Sequence, residues 1–151
     1  MTIPTGNRGI LAFVAEPALR DEVDRIAAAV GVRVVHAGST SPVTRKAWSA
    51  AAAIVLDEAA AEGCARAGLP RRAHVVVVTD GEPAPATWAA AVEVGARHML
   101  RLPAQERDLI RELADAGESA RGIGALGEVV AVIGGRGGAG ASLFAAALAH
   151  V

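Results

Sequence analysis

Between residues 9 and 116, five short apolar runs alternate with five stretches of helical character, and that rhythm restricts the chain to very few folds. The runs are Gly9-Ile-Leu-Ala-Phe-Val14, Val32-Arg-Val-Val35, Ala52-Ala-Ile-Val-Leu56, His74-Val-Val-Val-Val78 and Arg97-His-Met-Leu-Arg101. Most are continuous in their apolar residues, as in strands buried on both faces. The connections are too long for hairpins. Strand, helix and next strand therefore join by right-handed crossovers, which implies an α/β fold: a doubly wound, five-stranded parallel sheet with helices on both faces.

The helical stretches carry their own start and stop signals. Pro17 opens the first, in which Leu19, Val23, Ile26, Ala27 and Val30 recur at helical spacing, and Gly31 closes it. Ser41 as N-cap and Pro42 at the first helical position begin the second, which runs through Lys46 and Trp48. An alanine-rich third helix follows Asp57 and ends at Gly68 and Pro70, after which Arg71 and Arg72 read as a solvated turn. Pro83 to Gly95 supplies the fourth, with Trp88, Ala91 and Val92 on one side, and Gln105 to Ala116 the fifth, with Leu109, Ile110 and Leu113 inward. Both tryptophans sit at apolar spacing, which fits core packing or a protein contact.

Composition removes several classes of function. With 151 residues, 52% of them apolar, the chain can bury one good core. The net charge is -1 without a basic stripe, so neither nucleic acid nor an anionic membrane is expected as a partner. A lone Cys64 allows no internal disulfide, no signal peptide opens the chain, and no apolar run approaches the ~20 residues of a transmembrane helix, so a cytoplasmic location is expected. His36, His74, His98 and His150 share no metal-ligand spacing and read as surface or loop. Neither a metal site nor a catalytic residue is expected.

Ligands of open doubly wound sheets sit outside the carboxyl ends of the strands. Those ends hold Ala15 and Glu16, Asp57, Thr79, and Leu102 before Pro103. Over residues 8–116 this arrangement resembles the response-regulator receiver domain, a flavodoxin- and CheY-like fold, and the resemblance implies the strand order 2-1-3-4-5. It also implies that two acidic residues after the first strand hold Mg²⁺, that Asp57 is the phosphoacceptor and Thr79 the reader of the phosphoryl group, and that a lysine precedes the final proline. Here the acidic pair is reduced to Ala15-Glu16, and Leu102 stands at the lysine position. Phosphoryl transfer to a carboxylate needs a divalent cation, and loss of the lysine removes a charge-assisted bond worth about 1.5–3 kcal/mol. Glu16, Asp57 and Thr79 thus form a degenerate phosphoacceptor-like set, with Asp57 either a surviving switch or a helix cap.

Residues 117–127 are glycine-rich and read as a linker. Beyond them Val129-Val-Ala-Val-Ile133 reads as a strand, followed by a glycine loop and the alanine-rich opening of a helix, the unit that wraps backbone amides around phosphates. The loop, Gly135-Arg136-Gly137-Gly138-Ala139-Gly140-Ala141-Ser142, resembles the deviant phosphate loop of the MinD/ParA family. Arg136 and Ser142 match that pattern, but Ala141 stands where the phosphate-binding lysine belongs. Dinucleotide binding through Gly135, Gly137 and Gly140, and tight strand–helix packing alone, remain alternatives. Residues 128–151 are expected to be the truncated start of such an ATPase domain. They hold no cofactor in this piece, with ATP and Mg²⁺ bound by the full-length protein.

The combination resembles CpaE/TadZ-like proteins of Flp pilus assembly and the septum site-determining Ssd proteins. The resemblance implies a non-catalytic localisation module recruited to a septum or pole, self-associating as a homodimer or docking on division or pilus machinery.

Overall fold

The computed structural model describes residues 9–38 and 43–134, with side chains to residue 122. Five strands, β1 (Ile10–Phe13), β2 (Val34–His36), β3 (Ala53–Leu56), β4 (Val75–Thr79) and β5 (His98–Arg101), form one sheet in the order β2-β1-β3-β4-β5. Every neighbouring pair is parallel. Between and after them come α1 (Pro17–Val30), α2 (Arg45–Ala50), α3 (Glu58–Ala67), α4 (Pro85–Val94) and α5 (Glu106–Gly134).

The alternation of side chains along each strand divides the core in two. On one face Ile10, Ala12, Val55, Val76, Val78 and Leu100 meet Leu19, Val23 and Ile26 of α1 and Leu109 and Leu113 of α5. On the other, Ile54, Leu56, Val75 and Val77 meet Trp48, Ala61, Cys64, Ala90, Ala91 and Val94. β3 and β4 are buried along their whole length, which is why their sequences are unbroken apolar runs. Each fully buried valine or leucine stabilises the fold by roughly 1.5–3 kcal/mol.

Local signals explain the element ends, and some lie elsewhere than the sequence pattern predicts. Gly31 closes α1 at φ 75°, donating its amide back to the last turn, and Val32 N–H reaches Ala27 O at 3.0 Å, so the second strand starts at Val34 rather than Val32. The second helix begins at Arg45, not Pro42. Thr44 is its N-cap, its hydroxyl accepting from Ala47 N–H at 3.1 Å, while Ser41 and Pro42 lie outside the described residues. Arg71 and Arg72 are more than a solvated turn. Arg71 donates to Val92 O at 2.8 Å, a carbonyl that also accepts from Gly95 N–H, and Arg72 donates to Trp48 O in the last turn of α2 and to Ala52 O just before β3.

Two corrections concern whole helices. On α4 the buried residues are Thr87, Ala90, Ala91 and Val94, so Trp88 and Val92 do not share a side with Ala91 but face outward. Trp48 is fully buried, with its indole N–H donating to Pro70 O at 2.8 Å. In α5 the helix continues from Glu106 to Gly134, through the stretch read as a linker and through the run from Val129 to Ile133 read as a strand. Packing carries it past Ala116: Ala116 is buried, Ala120 packs on the α1 side of the core, and at Gly117 the absence of a side chain lets the helix approach Val32. A Cβ at Gly117 would sit 3.3 Å from Val32 Cγ1.

Candidate functional site

The carboxyl ends of β1, β3 and β4 open on a shallow depression of about 170 Å³, lined by Glu16, Leu19, Asp57, Glu58, Ala59, Val78, Thr79 and Asp80. Glu16, Asp57 and Thr79 are thereby brought together. Two acids that the sequence pattern did not single out, Glu58 and Asp80, join them. Their signal was available: each directly follows a strand-end residue that the pattern marks.

Four polar groups at this pole, Asp57, Glu16, Glu58 and Thr79, have local partners. Asp57 is the N-cap of α3, where its Oδ1 accepts from Ala60 N–H at 2.8 Å and its Oδ2 accepts from Ala15 N–H, also at 2.8 Å. One carboxylate thus ties the start of a helix to the loop after β1, with both oxygens engaged by backbone donors. Glu16 caps α1 in the same way, its Oε2 accepting from Leu19 N–H at 2.8 Å. Glu58 Oε2 accepts from the buried Thr87 hydroxyl at 2.7 Å, linking α3 to α4. Thr79, only 2% exposed, donates from its hydroxyl to Gly81 O at 2.9 Å rather than toward Asp57.

A cation to balance these carboxylates is missing from the lining, which contains no lysine or arginine. Leu102, where the receiver resemblance places a lysine, is a core residue at 3% exposure, followed by a cis peptide bond to Pro103. The nearest candidate in the sequence, Arg101, faces the other side of Thr79. There it pairs with Glu82 and lines a separate groove with Pro83, Trp88 and Met99. Among the described residues no group of three His, Cys, Asp or Glu side chains is arranged to hold a metal ion. The loop Gly135, Arg136, Gly137, Gly138, Ala139, Gly140, Ala141 and Ser142 lies outside the described residues.

At the opposite pole the structure shows a cluster that sequence spacing does not reveal. Glu112 of α5 is 3% exposed, and its Oε1 lies 2.8 Å from His74 Nδ1 while its Oε2 lies 3.4 Å from His98 Nε2. Arg97 Nη1 approaches the same carboxylate at 3.7 Å. His74 and His98 are thus not plain surface residues. They surround a buried charge that would otherwise be costly, and His74 does so from a left-handed backbone at φ 60°. His36 likewise pairs with Asp24 at 2.6 Å.

Comparison with known proteins agrees with the geometry. The family model described as "Rv3660c-like, CheY-like N-terminal domain" matches residues 13–123. Two proteins of Mycobacterium tuberculosis, MT3760 of strain CDC 1551 / Oshkosh and Rv3660c of strain ATCC 25618 / H37Rv, both described as uncharacterized, are each 68% identical over 138 residues. Those matches cover 91% of this chain and 39% of the relative, so the chain spans about two fifths of the curated relatives' length. Among solved structures, a CheY-like response regulator from Mesorhizobium loti superposes with TM-score 0.53 at 16% identity, covering 73% of this chain and 98% of its own. A CheY-like protein (tadZ) from Pseudomonas aeruginosa PAO1 aligns with TM-score 0.48 at 25% identity, covering 71% and 99%.

Proposed function

The chain belongs to the family of Rv3660c-like, CheY-like N-terminal domains, and from that premise we propose that it is a non-catalytic pseudo-receiver, a protein-interaction module whose acidic pole holds the fold together instead of accepting a phosphoryl group. The observation that carries this reading is the engagement of both Asp57 oxygens by the amides of Ala15 and Ala60. Each oxygen keeps a second lone pair, but holding both on backbone amides fixes the carboxylate as a cap, and phosphoryl transfer to it would also need a metal to neutralise the oxygens and a cation behind them. At this pole Asp57 is a cap, Glu16 caps another helix, and Leu102 is packed in the core.

The finer reading rests on sequence resemblance. In the full-length protein this module precedes a MinD/ParA-like domain that begins near the glycine loop, and it directs a septum site-determining or pilus-assembly protein to the septum or pole. Loss of the lysine at Ala141 leaves that domain to bind ATP through backbone amides and Ser142, with weakened hydrolysis. The long α5 then takes the place of a loose linker between residues 117 and 127. Among the described residues no helix is long and apolar enough to cross a membrane, which is compatible with this role.

Acetyl phosphate labelling followed by intact mass measurement tests the central reading. No adduct is expected at Asp57. A stoichiometric addition of about 80 Da, the mass of one phosphoryl group, that disappeared in Asp57→Asn would make the site a working switch.

A further inference from the structure

Between β5 and the first turn of α4 lies a groove of about 360 Å³, at the small end of the range for ligand sites. Its two sides differ in chemistry. Trp88, Pro83 and Met99 supply an apolar side, and Trp88 is 52% exposed. Arg101 and Glu82 supply a charged side and pair with each other. Gln105 completes the rim: its Oε1 accepts from Arg101 N–H at 2.8 Å, which leaves its NH2 group to donate.

We propose that this groove binds a free aromatic amino acid as its zwitterion, with the α-carboxylate on Arg101 and Gln105, the α-ammonium on Glu82 and the ring against Trp88 and Met99. The charged side asks for both ends of such a ligand at once. Arg101 reaches Glu82 Oε2 through Nη2, so the other donors of its planar guanidinium stay available to a carboxylate, and Glu82 Oε1 stays available to an ammonium. A ligand with only a negative charge would face Glu82, and one with only a positive charge would face Arg101. A neutral ligand would strip water from the pair and give nothing back. A zwitterion meets both groups and closes an alternating ring of four charges. The pair is solvated, with the Arg101 and Glu82 side chains 48% and 80% exposed, so opening it to admit the ligand costs little.

The apolar side selects the side chain. An aromatic ring stacks offset or edge-on against the Trp88 indole, and the Met99 thioether suits a ring edge. A peptide terminus carries one of the two backbone charges and not the other, so the same chemistry separates a free amino acid from the end of a protein chain. The site lies beyond the interaction-module reading and stands without it.

Titration of the 151-residue chain with L-phenylalanine, read from the indole N–H signals by NMR, tests this. Trp48 is the internal control, because its indole N–H is held on Pro70 O in the core. The Trp88 signal is expected to shift saturably, half-saturating on the order of 1 mM, while the Trp48 signal stays in place. L-Alanine, N-acetyl-L-phenylalanine and L-phenylalaninamide lack the ring, the ammonium and the carboxylate respectively. Each is expected to bind more weakly by about tenfold or more. Arg101→Gln is expected to lose a similar factor and Glu82→Gln severalfold, with a thermal melt of each variant verifying its fold. A Trp88 signal that does not move at concentrations well above the expected midpoint overturns the proposal. So does equal affinity for either blocked derivative, which would assign the groove to a peptide end, or undiminished binding by Arg101→Gln.

Discussion

Both oxygens of Asp57 face backbone amides, and that arrangement determines what replacing the residue does. Asp57→Ala is expected to destabilise the domain by about 1–2 kcal/mol in urea unfolding, while Asp57→Asn, which keeps one acceptor, loses about half as much. A purely catalytic aspartate would show no such cost. Glu112→Ala is expected to lose about 2–3 kcal/mol, at the low end for a buried ionic group because His98 and Arg97 are partly solvated. Burial pushes the Cys64 thiol up from its ordinary value. The unfolded chain therefore gives up this proton first as pH rises. The stabilising contribution is complete below the unfolded thiol's value of about 8.5 and is lost as pH climbs through the higher folded value. Cys64 should accordingly resist a thiol reagent at neutral pH until the protein is unfolded. The strand-end residues were legible in the sequence because an apolar run that stops marks its own end, and four such ends fall at one pole. Glu112 was not: its partner His74 is 38 positions away, and no local spacing announces the pair.

Among the helices, α5 separates what glycine content predicts from what packing permits. Gly117 and Gly122 look alike in the sequence, but only the first has a close neighbour, Val32, whereas a Cβ added at the second would meet nothing within 4 Å. Gly117→Val is expected to destabilise by about 1–3 kcal/mol through overpacking, whereas Gly122→Ala is expected to stabilise by roughly 0.5–1 kcal/mol through helix propensity. In a loose linker both changes would be near neutral in a thermal melt. α4 escaped a correct sequence reading for a related reason. With apolar residues on every side, it has no stripe from which to choose the inward face, and only the structure shows that Ala90, Ala91 and Val94 are chosen over Trp88 and Val92. α2 starts late because Thr44 supplies the cap hydroxyl that Ser41 was expected to supply.

For the molecule as a whole, the doubly wound sheet was legible because most strands are compact apolar runs and every crossover carries a helix, and its order because the strand ends resemble those of a receiver domain. Function is harder to read from such a sheet, since the same carboxyl-end pole serves catalysis, signalling or plain structure according to a few side chains. Here those side chains are committed to caps and core, and the apolar surface sits on α4. The most direct test is titration of Mg²⁺ and beryllofluoride, watched through the backbone amide signals of Glu16, Asp57 and Thr79. A flat response at all three, with Ala15 and Ala60 amides unmoved, is what a capped Asp57 predicts. Saturable shifts centred on these residues, and abolished in Asp57→Asn, would contradict it and return the domain to the class of phosphorylated switches.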